Sequence, residues 1–173
     1  LVTPELGLTG YTCQDLFFQQ TLLEEAEVAL MKLMDLTRSM DTIIAVGMPL
    51  ACNTGLANCA VVLQKGKIQG VVAKTYLPNH KECAEKRWFT SIHDFKETKL
   101  WLCGDLVEIT QYRIFNTPSC SFAIEIGQDL TAPVPPSSQL AMMGADIILN
   151  LSAESCLAGK DEYLRKLISS QSA

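Results

Sequence analysis

The chain has 173 residues, 48% of them hydrophobic, and a formal net charge of −5. That length and hydrophobic content indicate one globular domain with a sizeable core, not a disordered polymer. The basic residues are scattered among acids, which disfavours nucleic acid as a partner. No apolar run approaches the roughly 20 residues needed to span a bilayer, and we expect no signal peptide. Seven cysteines without a CxxC pair predict a reduced, cytoplasmic compartment.

The first predicted elements are an amphipathic helix over residues 22–38 and a buried strand over 42–46. Apolar residues recur at helical spacing in the first segment, and Thr21 and Glu24 have the spacing of a capping box. The second segment is β-branched and is followed by Pro49, which we expect to lie beyond the strand. The other predicted elements are a hairpin of strands 59–64 and 68–73, strands 106–110, 121–126 and 146–151, and helices 137–143 and 160–170.

Reactive groups in mixed α/β proteins gather where strands end and loops begin. Three places satisfy that condition here: Glu5 in a Gly-rich loop, Lys74 after the second hairpin strand, and Gly127 after the strand 121–126. Each has a structural alternative. Glu5 could accept hydrogen bonds from its own loop, Lys74 could be solvated, and Gly127 could relax an elbow that needs a positive φ.

Five motifs of the chain resemble, in order, signatures of the glutaminase domain of glutamine-dependent NAD synthetase, within the nitrilase superfamily. The motifs are Pro4-Glu-Leu-Gly-Leu-Thr-Gly-Tyr11, Lys74-Thr-Tyr-Leu-Pro-Asn79, Glu85-Lys-Arg-Trp-Phe89, Pro135-Pro-Ser-Ser138 and Asn150-Leu-Ser152. The resemblance covers nearly the whole chain and implies an α/β fold, a nitrilase-like αββα sandwich. The family domain extends further at both ends, so we expect residues 1–173 to be an incomplete carbon-nitrogen hydrolase domain, a fragment of a glutaminase.

The resemblance also implies a division of labour among the candidate residues. Glu5 would be the general base, and Lys74 the cation that stabilises the tetrahedral oxyanion. Glu85 would position Lys74 or relay protons, and Tyr11 would line the substrate pocket. Amide hydrolysis through a covalent intermediate needs such a base and cation beside an activated nucleophile.

The nucleophile is where the chain departs from the family. The family reads Glu-Ile-Cys-Glu-Asp-Leu-Trp, whereas this chain reads Glu125-Ile-Gly-Gln-Asp-Leu-Thr131. Gly127 has no side chain and cannot form a thioester. His80 stands where the family commonly has a tyrosine, and Glu154 where it commonly has a small polar residue. Both are substrate-binding positions by resemblance.

The partners implied are glutamine and a synthetase domain in the same or another chain. The ATP-binding Ser-Gly-Gly-x-Asp-Ser loop of that synthetase is missing, so this segment should need no cofactor. ATP and deamido-NAD would belong to the separate domain. Face-to-face association of nitrilase relatives predicts a homo-oligomer. Two alternatives stay open: a non-catalytic scaffold, and an active amidase if residue 127 were cysteine.

The cysteines do not suggest another active site. Six of them are most simply small buried apolar residues. Cys120 precedes the strand that Gly127 follows, so we disfavour it as a substitute nucleophile. His80, Cys83, His93 and Cys103 match no usual zinc spacing, and we predict no metal site.

Overall fold

Two β-sheets pack face to face in the computed structural model, which describes residues 1–80 and 83–172. The described strands are β1 (Ile44–Cys52), β2 (Gly55–Gln64), β3 (Lys67–Ala73), β4 (Asn79–His80), β5 (Cys83–Ala84), β6 (Lys99–Leu102), β7 (Asp105–Thr110), β8 (Ile114–Asn116), β9 (Ser121–Ile126) and β10 (Ile147–Leu151). The larger sheet has the order β1-β2-β3-β7-β6, and the smaller has β10-β9-β8. The short strands β4 and β5 pair with each other.

Alternation along the strands divides the core into two layers. One face of the larger sheet, which includes Val46, Val61 and Val71, packs against a helix. The opposite face, which includes Ala60 and Val72, packs against the smaller sheet. The apolar contacts between the sheets come mainly from Phe115, Phe122, Ile124, Ile126 and Leu151.

Helices cover the outer faces of both sheets. The described α-helices are α1 (Gln20–Leu36), α2 (Glu85–Trp88), α3 (Pro136–Met142) and α4 (Lys160–Gln171). Helix α1 buries Ala26 and Leu30 against the larger sheet, and α3 lies beside β9 and β10. The resulting order of layers is helix, sheet, sheet, helix. This confirms the predicted nitrilase-like sandwich.

The structure confirms most predicted elements and corrects some boundaries. Strand β9 has the predicted bounds, and the hairpin of β2 and β3 forms as expected. Strand β1, however, continues through Pro49 to Cys52. Proline is tolerated there because β1 is an edge strand, where a missing N–H breaks no ladder. The predicted capping box is also wrong, because α1 begins at Gln20 and its N-cap makes no side-chain bond.

Several elements were not predicted from the sequence. Strands β6 and β8 have four and three residues, too short for a periodic signal. Segments of 3-10 helix at Tyr11–Phe18, Ile92–Asp94 and Gly127–Thr131 were likewise missed. No helix among the described residues is long and apolar enough to cross a membrane.

Candidate active site

Polar residues interrupt the inner face of the larger sheet at one end. Lys74 follows Val72 with a spacing of two, so it continues the face that meets the smaller sheet. Asn58 precedes Ala60 with the same spacing on the neighbouring strand. Both polar side chains are buried, with about 1% of their surface exposed. Their position between the sheets requires partners, because unpaired buried polar groups are costly.

Glu5 reaches the same place from a loop that crosses β1. The loop lies directly on the strand at Gly47, where an added Cβ would be 2.5 Å from Leu6 N and 2.6 Å from Pro4 O. Thr3 and Leu8 hydrogen-bond to the strand on either side of that contact. The glycine therefore permits the close approach that carries the Glu5 carboxylate between the sheets.

Lys74 is held by two carboxylates. Its Nζ is 2.6 Å from Glu5 Oε1 and 2.7 Å from Glu85 Oε1, and all three side chains are at most 2% exposed. Asn58 Nδ2 donates to Glu5 Oε1 at 2.7 Å, and the Tyr11 hydroxyl donates to Glu85 Oε1 at 2.7 Å. The second carboxylate oxygen of Glu85 is buried without a partner among the described atoms.

Gly127 completes the group from the end of β9. Its φ is +52°, a conformation that favours glycine, as the elbow interpretation predicts. A Cβ at this position would lie 2.6 Å from Glu5 Oε2 and 3.0 Å from Lys74 Nζ. Any side chain at residue 127 would thus contact both the carboxylate and the ammonium.

Burial and charge pull the pKa values of this group in opposite directions. Burial raises the pKa of Glu5, which the Lys74 ammonium opposes and the Glu85 carboxylate reinforces. Burial alone would lower the pKa of Lys74, but the two carboxylates together raise it. Lys74 therefore stays charged, while the proton affinity of Glu5 is increased. Burial and Glu85 also raise the pKa of Tyr11, so its hydroxyl remains a donor.

A cavity of about 300 Å³ opens beside these side chains. Glu5, Lys74, Glu85 and Tyr11 lie in its wall. Glu154 also lines it, and its Oε2 is 2.5 Å from Nζ of Lys160, a further lining residue at the start of α4. A carboxylate, an ammonium and hydrogen-bond donors thus surround a space that suits a small polar ligand.

The sequence matches the family model of carbon-nitrogen hydrolases over residues 1–164. The chain belongs to the carbon-nitrogen hydrolase family. It is 34% identical over 175 residues to the glutamine-dependent NAD(+) synthetase of Mycobacterium tuberculosis strain H37Rv, an alignment that covers 99% of this chain and 26% of the relative. The corresponding protein of Aquifex aeolicus is 29% identical over 168 residues, covering 97% of this chain and 26% of the relative. The chain therefore spans about a quarter of these relatives.

Solved structures show the same relationship. A glutamine-dependent NAD(+) synthetase from Cytophaga hutchinsonii superposes with a TM-score of 0.84 at 25% identity, covering 99% of this chain and 27% of the other. An amidase from Nesterenkonia sp. superposes with a TM-score of 0.72 at 15% identity, covering 99% and 57%. The second likeness concerns the fold alone.

This carbon-nitrogen hydrolase domain brings together most residues singled out in the sequence. Glu5, Lys74, Glu85 and Gly127 converge, with Tyr11 and Glu154 in the wall of the same cavity. Their chemical roles remain predictions. His80, in contrast, is exposed and lies outside the lining of that cavity. It is paired across β4 and β5 with Cys83, and Cys83 supplies the lining at this point instead.

Two of the residues that organise the site were not recognised in the sequence. Asn58 is a buried amide that interrupts the apolar interior of strand β2, and that interruption is the signal that would have identified it. Asp129 is buried beneath the elbow and accepts hydrogen bonds from the backbone of Thr75, Tyr76 and Ile126. Its bond to Ile126 is local, but the bonds to Thr75 and Tyr76 join residues more than 50 positions apart, which no local pattern reveals.

Glu125 and Asn150 support the elbow from the outer side. Asn150 Nδ2 donates to the Gly127 carbonyl at 3.1 Å and lies 3.4 Å from Glu125 Oε1. Glu125 Oε2 also accepts from the Ser137 backbone, and burial raises the pKa of this carboxyl. Both residues lie in segments compared with the family, but no function was predicted for either of them.

The cysteines depart from the uniform environment that the sequence suggested. Cys59 is buried as expected, but Cys156 is exposed. Cys120 precedes β9 and Gly127 follows it, so they flank opposite ends of the strand. Cys83, half-buried, lines the cavity, with its Sγ 3.9 Å from Gln128 Nε2. Within the described ranges, no three His, Cys, Asp or Glu residues are grouped to hold a metal ion.

Proposed function

We propose that this domain binds the side-chain amide of glutamine and, with glycine at residue 127, does not hydrolyse it. Glu5 would act as the base, and Lys74 would polarise the amide carbonyl. Glu85 would hold Lys74 in place, while Tyr11 and Glu154 line the ligand pocket. The base and the cation are retained, but no nucleophile is available at residue 127 to form a thioester.

One observation carries this proposal. The space at residue 127 is surrounded by Glu5 Oε2 and Lys74 Nζ, at 2.6 Å and 3.0 Å from where a Cβ would stand. A base and an oxyanion-stabilising cation thus face a position that has no reactive atom. The similarity to proteins named glutamine-dependent NAD(+) synthetases supports glutamine as the amide.

The rest of the pathway would lie outside this domain. We propose that a synthetase domain, in the same or another chain, uses ATP and deamido-NAD and takes free ammonia as its nitrogen source. The seven free cysteines are consistent with a reducing, cytoplasmic compartment.

Ammonia release from glutamine tests the catalytic half of the proposal. The purified protein should release no more ammonia than buffer, while calorimetry should detect glutamine binding that Lys74→Met abolishes. Robust hydrolysis by the unmodified protein would overturn the proposal. The search for another nucleophile would then begin with Cys83→Ser, because that thiol lines the cavity.

Restoring the thiol gives a second test. Gly127→Cys should recover only part of the expected activity, because its Cβ displaces the Glu5 carboxylate and because Gln128 and Thr131 still differ from the family pattern. Adding Glu5→Gln should abolish whatever activity the first change restores, since the thiol then has no base. Activity that survives in the double variant would remove Glu5 from the mechanism.

The competing function is that of a scaffold that assembles without binding a ligand. Under either function we expect a homo-oligomer, whose mass light scattering on the purified protein would measure. An assembled protein that shows no heat of glutamine binding would favour the scaffold.

A further inference from the structure

Asp129 contacts the ends of both sheets at once. Its Oδ1 accepts hydrogen bonds from the backbone N–H of Tyr76 at 2.7 Å and of Thr75 at 3.2 Å. Its Oδ2 accepts from Ile126 N and from Thr75 N, each at 3.3 Å. The residue is about 1% exposed. One buried carboxylate therefore joins the chain that leaves β3 to the end of β9.

The residues held in this way adjoin the candidate active site. Thr75 and Tyr76 directly follow Lys74, and Ile126 directly precedes Gly127. Lys74 follows a strand of the larger sheet and Gly127 follows a strand of the smaller one, and a backbone hydrogen-bond ladder acts only within its own sheet. The distance between the Lys74 ammonium and the residue-127 backbone consequently depends on contacts between the sheets.

We propose that Asp129 is a positioning residue that fixes the separation between the backbone of residue 127 and the ammonium of Lys74. Oδ1 accepts hydrogen bonds only from the segment that follows β3, whereas Oδ2 accepts from that segment and from the end of β9. Asp129 acts only through the backbone of its neighbours. The positioning role itself does not depend on the proposed function. Only the reason why this separation matters, the binding of an amide, rests on the proposed function.

A side chain with two oxygens is required for this arrangement. An asparagine offers one acceptor oxygen, and its amide nitrogen is a donor that would face another donor. Asp129→Asn keeps the size of the side chain but cannot hold both sheet ends. The charged side chain that acts on this carboxyl is Lys74, which lowers its pKa, although burial has the larger, opposite effect.

A thiol introduced at residue 127 reports the separation without requiring glutamine. In Gly127→Cys, its reaction with iodoacetamide is followed against pH by mass spectrometry of the peptide that contains residue 127. At residue 127 the Lys74 ammonium lowers the pKa of a thiol, whereas the Glu5 carboxylate on the other side raises it. Moving the thiol away from the ammonium therefore raises its pKa, and a rise of one unit reduces the thiolate fraction about tenfold at lower pH. Adding Asp129→Asn should shift the pH profile upward and slow alkylation at neutral pH by about that factor.

Asp146 provides the matched control. Its carboxylate accepts from Ser121 N at 2.7 Å at the start of β9, the end of the strand remote from residue 127. Asp146→Asn in the Gly127→Cys background should leave the alkylation profile within about twofold, because the thiolate fraction depends on the local field. An unchanged profile with Asp129→Asn, or an equal shift with Asp146→Asn, would overturn the assignment. Neither result depends on whether the protein binds glutamine.

A second measurement needs no change at residue 127. In the unmodified protein, the NMR amide signals of Thr75, Tyr76 and Ile126 should titrate with one shared midpoint, because one carboxyl accepts from all three. Asp129→Asn should remove that shared midpoint and shift the Lys74 side-chain signals. The assignment fails if the three amides titrate independently, or if Lys74 is unaffected by the substitution.

Discussion

The two ends of β9 are each held by an aspartate, but in opposite surroundings. At the start, exposed Asp146 accepts from Ser121 N, and those hydrogen bonds lower its pKa. At the end, burial raises the pKa of Asp129 to about 7 despite bonds from three backbone N–H groups. A carboxylate that accepts backbone hydrogen bonds thus carries little desolvation cost at the exposed end and a large one at the buried end. The interior end is the one that adjoins Lys74 and Gly127.

The largest expected effect is the loss of stability in Lys74→Met, compared with a similar change at an exposed lysine. Removing the ammonium leaves Glu5 and Glu85 buried without their shared partner, which should cost about 3–5 kcal/mol in the free energy of unfolding. Lys166 pairs with Glu162 on the exposed face of α4. Lys166→Met should leave urea unfolding unchanged, and equal losses in the two variants would contradict the comparison.

Alanine at two glycines with positive φ compares the two ends directly. Gly127 has a φ of +52° and Gly144, near the start of β9, has +98°. A Cβ at Gly144 meets no atom within 4 Å, whereas at Gly127 it would be 2.6 Å from Glu5 Oε2. Gly127→Ala should therefore cost about 1–3 kcal/mol more than Gly144→Ala, the usual penalty of overpacking. The free energies of urea unfolding measure this, and a larger loss at Gly144 would refute it.

The pH dependence of stability should have opposite signs at the two ends. The native pKa of Asp129, about 7, is above its ordinary value of 3.8, so its contribution is complete below the ordinary value and is lost as pH rises to about 7. Asp146 has a lowered pKa, so its contribution is present above its ordinary value and is lost as pH falls. Unfolding of Asp129→Asn and Asp146→Asn between pH 3 and 8, each compared with the unmodified protein, should yield differences of opposite slope. If the two stability differences changed with pH in the same direction, the buried and exposed aspartates would not differ as proposed.

The smallest loss of stability is expected from Ser121→Ala at the exposed start of β9. The Ser121 hydroxyl donates to the Gly144 carbonyl at 2.6 Å in partly exposed surroundings. Its loss should cost about 0.5–1.5 kcal/mol, the net value of an ordinary hydrogen bond, because water can replace the partner. Calorimetric unfolding would measure the loss. A larger loss of stability than in Gly127→Ala would show that the exposed start of β9 contributes more to stability than its exposure suggests.

The fold was largely predictable where apolar residues recur with a clear period. Strand β9 and the hairpin of β2 and β3 have strong alternation or continuous apolar runs, and they form as predicted. The prediction failed where neighbouring strands override local preference. Pro49 ends a strand by propensity but is accommodated at the sheet edge, and β6 and β8 are too short to show a period.

The candidate site was predictable only in part, since recognition of motifs depends on contiguous residues. Glu5, Lys74, Glu85 and Gly127 lie in or beside recognisable motifs and converge in space. Asn58 was missed because it acts on a residue more than 50 positions away, and Asp129 because its contacts across to Thr75 and Tyr76 span more than 50 positions, although it also bonds locally to Ile126. His80 was predicted to bind substrate by resemblance alone, and in the structure it is exposed and outside the lining of this cavity, which its strand partner Cys83 joins.

By itself the sequence determined the family resemblance, the alternation of the core strands and the absence of a thiol at residue 127. These properties depend on residue identity and local spacing alone. Only the tertiary structure decided that Glu5 Oε2 lies 2.6 Å from where a Cβ of residue 127 would stand, and that Asp129 joins the two sheets. Those contacts depend on how two separately hydrogen-bonded sheets pack, and packing is set by side chains distant in the chain.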